Sequence, residues 1–265
     1  MSWYTVPDSG KASAPLPGNP EVAVGLEDVS VLYRIPRERI STFKEYVIRQ
    51  VTRRIGTVDY LALDGIDLEI WKGEVFGIIG SNGAGKSTLL KLIARVLQPT
   101  RGRVWVRGRV APLLDISAGF HPELTGRENV FLNGALLGFS RREIDERFKR
   151  IVDFAEMWDF IDAPLRMYSS GMIARLGFAV ASDTNPDVLL IDEVLTVGDA
   201  AFQRKCWDRI RGFQERGTTI LLVSHDMGTV KSLCGRAMWL NKGKIMSLGK
   251  ADEVVSQYWA SLAGN

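Results

Sequence analysis

The chain has 265 residues, 46% of them hydrophobic and 25% charged, which is typical of a globular protein with a substantial core. Its net charge of +3 is too small to indicate binding to nucleic acid. Two cysteines, Cys206 and Cys234, are too few for a disulfide framework. No apolar run approaches the roughly 20 residues that span a bilayer, and no export signal is visible, so we expect a cytosolic chain.

The hydrophobic pattern predicts alternating strands and helices after a proline- and glycine-rich lead-in, residues 1–20, which we expect to be flexible. Short apolar strands separated by helices predict a doubly wound α/β core with an inserted helical subdomain. In chain order, the pattern predicts strands over Val22–Tyr33, Leu61–Trp71 and Glu74–Ile79, a helix over Ser87–Leu97, a hairpin over Arg101–Arg109, mainly helix over 123–178, strands over Val188–Ile191 and Thr219–Val223, and a helix over Val254–Leu262.

A glycine-rich run separates the third predicted strand from the first predicted helix. It matches the G-x-x-x-x-G-K-[ST] pattern, in which small residues let backbone N–H groups surround phosphate oxygens at the positive end of a helix. This context favours nucleotide binding over a chance glycine turn. Lys86 is predicted to meet the β- and γ-phosphates, and the Ser87 hydroxyl to ligate Mg²⁺. The run, called the phosphate loop below, is Gly80-Ser81-Asn82-Gly83-Ala84-Gly85-Lys86-Ser87-Thr88.

Two acidic residues, Asp192 and Glu193, directly follow the apolar strand Val188–Ile191. A buried strand that ends in this way delivers carboxylates to the same edge of the sheet as the phosphate loop. Asp192 is therefore predicted to hold Mg²⁺ through water, and Glu193 to polarise the attacking water. An acidic turn without function would be the better interpretation if the phosphate loop were missing.

The segment Tyr168-Ser169-Ser170-Gly171-Met172, called the signature turn below, opens a helical pattern ahead of Asp192. Ser169 and Gly171 can offer hydrogen-bond donors to phosphate there, although a plain helix cap is the alternative. Asp199 lies seven residues beyond Asp192, and His225 follows the strand Thr219–Val223. These motifs, in this order, resemble the nucleotide-binding domain of ABC transporters over residues 22–250.

The resemblance implies a P-loop, RecA-like ATPase core with an antiparallel β subdomain and a helical subdomain over about 115–178, all within a domain of residues 21–265. ATP and Mg²⁺ would be bound. His225 would donate a hydrogen bond to the γ-phosphate. Tyr33 resembles the aromatic residue that stacks on adenine, with a core tyrosine as the alternative.

The resemblance also implies partners. Two copies would enclose two ATPs, each site joining Lys86 of one copy to Ser169 and Gly171 of the other, with Asp199 in the D-loop. Integral membrane permease subunits would hold the pair at the cytoplasmic face of the inner membrane. The alternative is a soluble ABC ATPase with a regulatory role or one acting on nucleic acid or ribosomes. Paired ATPase domains, a long coiled coil and zinc-binding cysteines are typical of the latter, and none is visible.

Residues 34–59 form a basic amphipathic insertion. Between Arg37 and Arg54 there are six basic and two acidic residues, so the segment carries +4 and the rest of the chain about −1. A helix packed on its own domain with a solvated basic face is one interpretation. The other is that Arg49, Arg53 and Arg54 meet an anionic membrane surface or a lipid-linked glycan, each contributing about 1 kcal/mol.

The signature turn and two further runs, His121–Asn129 and Val197–Phe202, resemble the subfamily that exports lipid-linked polysaccharides. We therefore expect an ATP-hydrolysing subunit of an exporter for O antigen or teichoic acid. One family feature is missing, since no glutamine occurs between Gln98 and Gln203. Asp115 is the nearest polar residue that could replace the glutamine at the entry to the helical subdomain.

Overall fold

The computed structural model describes residues 19, 21–36, 57–114, 119–192 and 198–263. Most of the lead-in and of the basic insertion therefore lies outside the described residues. The same holds for five residues singled out above, namely Arg49, Arg53, Arg54, Asp115 and Glu193.

A three-stranded antiparallel sheet forms one side of the protein. Its strands are β1 (Val22–Pro36), β2 (Thr57–Trp71) and β4 (Arg101–Val106), with β1 in the middle. The long β1–β2 pairing places Tyr33 directly opposite Tyr60. Because paired residues point to the same face of a sheet, these two tyrosines are neighbours.

The second sheet has the order β5-β6-β7-β3-β8-β9 in the described part of the chain. All its strands run parallel except the last, which pairs antiparallel with β8. The carboxyl ends of β3, β6 and β7 therefore lie side by side at one edge. The strands are β3 (Val75–Ile79), β5 (Val110–Leu113), β6 (Val188–Asp192), β7 (Thr219–Val223), β8 (Arg236–Asn241) and β9 (Lys244–Lys250).

Helices cover both faces of this sheet. One apolar core joins it to the antiparallel sheet and to α1 (Lys86–Ile93). Another packs its opposite face against α5 (Ala200–Glu215), α6 (Met227–Leu233) and α7 (Ala251–Ala263). Cys206 and Cys234 lie in this second core without a disulfide, and burial raises the pKa of each thiol to about 12.

A third core belongs to the helical subdomain, which comprises α2 (Gly126–Leu136), α3 (Arg141–Ala155) and α4 (Ser170–Ser182). Local sequence sets where two of these helices begin. Thr125 caps α2 in a reciprocal capping box with Glu128, and Ser140 caps α3 in the same way with Glu143. Helices and strands thus confirm the predicted α/β core with its antiparallel and helical subdomains.

The predicted hairpin over Arg101–Arg109 is wrong. β4 pairs antiparallel with β1, whereas β5 pairs parallel with β6, so this part of the chain crosses from one sheet to the other. Alternation of side chains reveals a strand but not its partner, and the partners here are distant in sequence. Strands β8 and β9 and the short β5 were not identified from the sequence.

Candidate functional site

The edge of the parallel sheet opens into a cavity of about 500 Å³. It lies where β3, β6 and β7 end, the place at which open α/β sheets bind their ligands. Asp192, the last residue of β6, and His225, two residues beyond β7, both face it. The other lining residues are Tyr60, Ala62, Asn82, Gly83, Ala84, Gly85, Lys86, Ser87 and Thr88.

Seven residues of the phosphate loop, Asn82 to Thr88, line this cavity, whereas Gly80 and Ser81 do not. The tight path of the loop requires glycine at two positions. Gly80 has φ 150°, and a Cβ there would lie 2.1 Å from the Leu240 carbonyl oxygen. Gly85 has φ 110°, and a Cβ there would lie 2.6 Å from the Ala62 carbonyl oxygen. Both conformations are open to glycine at little cost. The loop therefore packs against β2 and β8 while its backbone turns toward the cavity.

Lys86 begins α1 and is only 7% exposed. Its ammonium donates to the carbonyl oxygens of Gly80 at 2.7 Å and Ser81 at 3.0 Å. Gly85, at the cap position of α1, supplies no side-chain cap. A buried cation beside the positive end of a helix makes the cavity attractive to an anion with several charged oxygens.

Hydroxyl and carboxylate oxygens lie beside this anion-binding surface. Ser87 and Asp192 line the same cavity, and such oxygens are the ligands that Mg²⁺ prefers. The residues present therefore fit a triphosphate with a divalent cation. Glu193 directly follows Asp192 in the chain and lies outside the described residues.

Among the described residues that line this cavity, Tyr60 is the aromatic one. It is 47% exposed, lines the cavity, and donates from its hydroxyl to the Gly83 carbonyl oxygen at 3.3 Å. Tyr33, its partner across the strands, is partly buried against the core and is not part of the cavity lining. Tyr60 was missed because it follows the insertion and belongs to no motif, and only the strand register brings it beside the loop.

The signature turn lies apart from the cavity. Ser169 caps α4 by accepting from the Met172 N–H at 3.2 Å. Apart from its chain neighbours and the backbone of its own helix, the nearest described atom to a Cβ on Gly171 would be the Ser169 hydroxyl oxygen, at 3.9 Å, so the start of this helix has open space beside it. Within one chain, neither residue joins the phosphate loop.

Asp199 also stands outside the cavity lining. Its carboxylate caps α5 by accepting from the N–H groups of Ala201 and Phe202, and it forms an ion pair with Arg175 of α4 at 2.5 Å. The Phe202 N–H is the main cause that lowers the pKa of Asp199, and the Arg175 charge adds to it. One chain therefore assembles the phosphate loop, Asp192 and His225, but not Ser169, Gly171 or Asp199.

A family model described as ABC transporter matches residues 63–196, from β2 to just beyond β6. The O-antigen export system ATP-binding protein RfbB of Klebsiella pneumoniae is 50% identical over 204 residues, which is 77% of this chain and 83% of that protein. The teichoic acids export ATP-binding protein TagH of Shouchella clausii is 40% identical over 241 residues, covering 91% of this chain and 65% of that protein.

Solved structures agree on the fold. The dimeric post-hydrolysis state of the ATP-binding cassette MJ0796 bound to ADP and Pi matches with a TM-score of 0.67 at 23% identity, over 86% of this chain and 98% of that one. An ATP-binding subunit of an ABC transporter matches with a TM-score of 0.69 at 21% identity, over 89% and 93%.

Proposed function

Because the chain belongs to the ABC transporter family, we propose that it is the ATP-hydrolysing subunit of an exporter for lipid-linked polysaccharide, O antigen or teichoic acid. The ATPase assignment is carried by one cavity that is lined by Asn82 to Thr88 of the phosphate loop, by Asp192 and by His225. The cargo assignment is supported by the relatives at 50% and 40% identity, whose names are those of O-antigen and teichoic acid export proteins.

The chain's own residues perform the binding and positioning. Lys86 neutralises charge on the β- and γ-phosphates, while the loop N–H groups hold their oxygens. Ser87 and Asp192 would hold Mg²⁺, which when bound offsets the charge that develops on the phosphates. His225, which also lines the cavity, would donate a hydrogen bond to the γ-phosphate. Glu193 accepts a proton from the attacking water.

A second copy completes the site. Each cavity has hydrogen-bond donors on the side formed by the phosphate loop, while Ser169 and Gly171, at the open start of α4, lie outside the cavity lining of their own chain. A two-fold pair that brings the signature turn of one copy over the cavity of the other would supply donors on the second side. ATP then closes the pair, and hydrolysis releases it.

Tyr60 is proposed to hold the adenine base, and Tyr33 to support it from the core. We expect Tyr60→Ala to weaken ATP binding by about three- to tenfold, because an exposed aromatic face beside the loop is lost. Tyr33→Leu, which keeps apolar bulk, should change the ATP affinity less than twofold or so. Titration with a fluorescent ATP analogue measures both. A larger loss of ATP affinity in the Tyr33 variant than in the Tyr60 variant would indicate that Tyr33 contacts the adenine base.

None of the helices in the described ranges is long and apolar enough to cross a bilayer. We propose integral permease subunits that hold the chain at the cytoplasmic face of the inner membrane. Co-purification with a multi-span protein encoded beside it tests this. Recovery of the chain with ribosomes or nucleic acid instead would favour a soluble, non-transport ATPase.

Arg49, Arg53 and Arg54 are proposed to meet anionic lipid or the lipid-linked glycan. Replacing all three with glutamine should reduce glycan export in cells by about tenfold or more, because each charge contributes about 1 kcal/mol at such a surface. The matched control replaces three exposed arginines elsewhere, Arg142, Arg204 and Arg211, and should leave export unchanged. Normal glycan export by a folded variant that lacks all three insertion arginines would contradict the proposed contact with lipid.

A further inference from the structure

Helix α3 ends at Ala155, and its C-cap residue, Glu156, has a left-handed backbone with φ 58° and ψ 47°. Glycine is the usual residue in this conformation, because a Cβ makes it strained. A non-glycine residue in this conformation indicates a specific role for its side chain.

The Glu156 carboxylate joins two cations on two other helices. One oxygen accepts from Lys205 of α5 at 2.7 Å, and the other pairs with Arg175 of α4 at 3.4 Å. Lys205 also donates to the Phe154 carbonyl oxygen at 3.1 Å, near the end of α3. The Lys205 hydrogen bond is the largest of the effects that lower the pKa of Glu156.

Arg175 extends this chain of charges to the start of α5. Its side chain is 21% exposed and bridges Glu156 and Asp199. The guanidinium also lies over the Phe202 ring, 5.0 Å from its centroid. Beneath these charges, Phe154 of α3 packs against Phe178 of α4 and Phe202 of α5, with centroid distances of 5.9 and 5.6 Å.

These contacts connect two parts of the proposed ATP site. Arg175 lies on α4, the helix that begins at the signature turn, so it moves with Ser169 and Gly171. Asp199 opens α5, seven residues beyond Asp192 at the end of β6. An ion pair between them ties the position of the signature turn to the segment that follows the metal-binding carboxylate.

We propose that Glu156, Arg175, Lys205 and Asp199 form a network between the helical subdomain and α5 that orients the signature turn relative to strand β6. Within this network, Glu156 and Arg175 are positioning residues for ATP hydrolysis. The inference rests on the proposed closure of two copies around ATP. In the closed pair, the network aligns α4. It has no part in the binding of nucleotide to a single chain.

Glu156→Gly separates this role from a merely structural one. Glycine removes the carboxylate and also relieves the left-handed backbone, so the midpoint of thermal unfolding should stay within about 3 °C of the wild type. Affinity for a fluorescent ATP analogue should stay within about twofold, whereas kcat for ATP hydrolysis should fall about tenfold. Glu156→Gln, which keeps the strain, should lose kcat similarly and be less stable than Glu156→Gly.

Arg175→Met should lose as much kcat as Glu156→Gly, and the double variant should be no worse than either one, since both interrupt one network. Lys242→Gly, another left-handed residue (φ 46°), calibrates the backbone effect on stability, and Arg211→Met, in an exposed pair within α5, serves as the activity control. A kcat within about twofold of the wild type in both single variants, or a double variant whose loss is the product of the two, would overturn the network. A wild-type chain that neither binds nor hydrolyses ATP would instead overturn the proposed function.

Discussion

Lys86→Met is expected to lower kcat for ATP hydrolysis by about two to three orders of magnitude, because the variant loses the buried cation that offsets charge on the transferred phosphate. Lys86 is 7% exposed and is held by the Gly80 and Ser81 carbonyl oxygens, so its charge is positioned before ATP arrives. Methionine has a similar length and no charge. Steady-state phosphate release by the purified chain, or by the chain with its permease, measures the loss.

The matched control is Lys91→Met, which changes an exposed lysine on the same helix. It should retain wild-type kcat and unfold at the same temperature. If Lys86→Met kept more than about a tenth of the wild-type turnover, the cavity would not be the hydrolytic site. Circular dichroism checks that Lys86→Met keeps the overall fold.

Glu193→Gln is expected to preserve ATP binding and to lower turnover by about 10²–10⁴-fold, because glutamine keeps the size of the side chain but cannot accept a proton from water. With hydrolysis blocked, two copies should remain closed around ATP. Size-exclusion chromatography with light scattering should then show a dimer in the presence of ATP and a monomer in its absence. Asp192, the preceding residue in the chain, lines the cavity.

Glu215→Gln, at the end of α5, tests whether loss of any acidic charge has the same effect, and it should turn over ATP like the wild type. Full turnover by Glu193→Gln would refute Glu193 as the base. A variant that is inactive but stays monomeric with ATP would leave the base in place and contradict the closed pair.

The phosphate loop and the pair Asp192 and Glu193, at the end of β6, could be predicted from the sequence because their chemistry depends on neighbours along the chain. Gly80 to Gly85 make one turn between β3 and α1, and the spacing of glycine and lysine alone specifies how that turn presents its N–H groups. The same holds for Asp192, since a strand of four buried residues determines which residue emerges at its end. The broad fold followed for a similar reason, because it rests on strong local periodicity.

Pairing between distant segments is what the sequence pattern left open. It predicted a hairpin over Arg101–Arg109, yet β4 and β5 belong to different sheets. Tyr33 was predicted to stack on adenine because its sequence context resembles a family motif. Tyr60 belongs to no motif, and only the register of β1 with β2 places it at the cavity. Strand partners and registers depend on the packing of the whole sheet, which alternation of side chains cannot specify.

Local sequence thus predicted the phosphate loop, the acidic residues at the end of β6 and the start of a helix at Ser169. Each of these features is formed within a few residues of the chain. Tertiary packing decided which of them share a cavity: the loop, Asp192 and His225 do, and the start of α4 does not. It also brought Glu156, Arg175 and Lys205 together from three helices, although none belongs to a motif noted in the sequence. Ion pairs and aromatic contacts act over a few ångströms in space, so their partners are known only once the helices have packed.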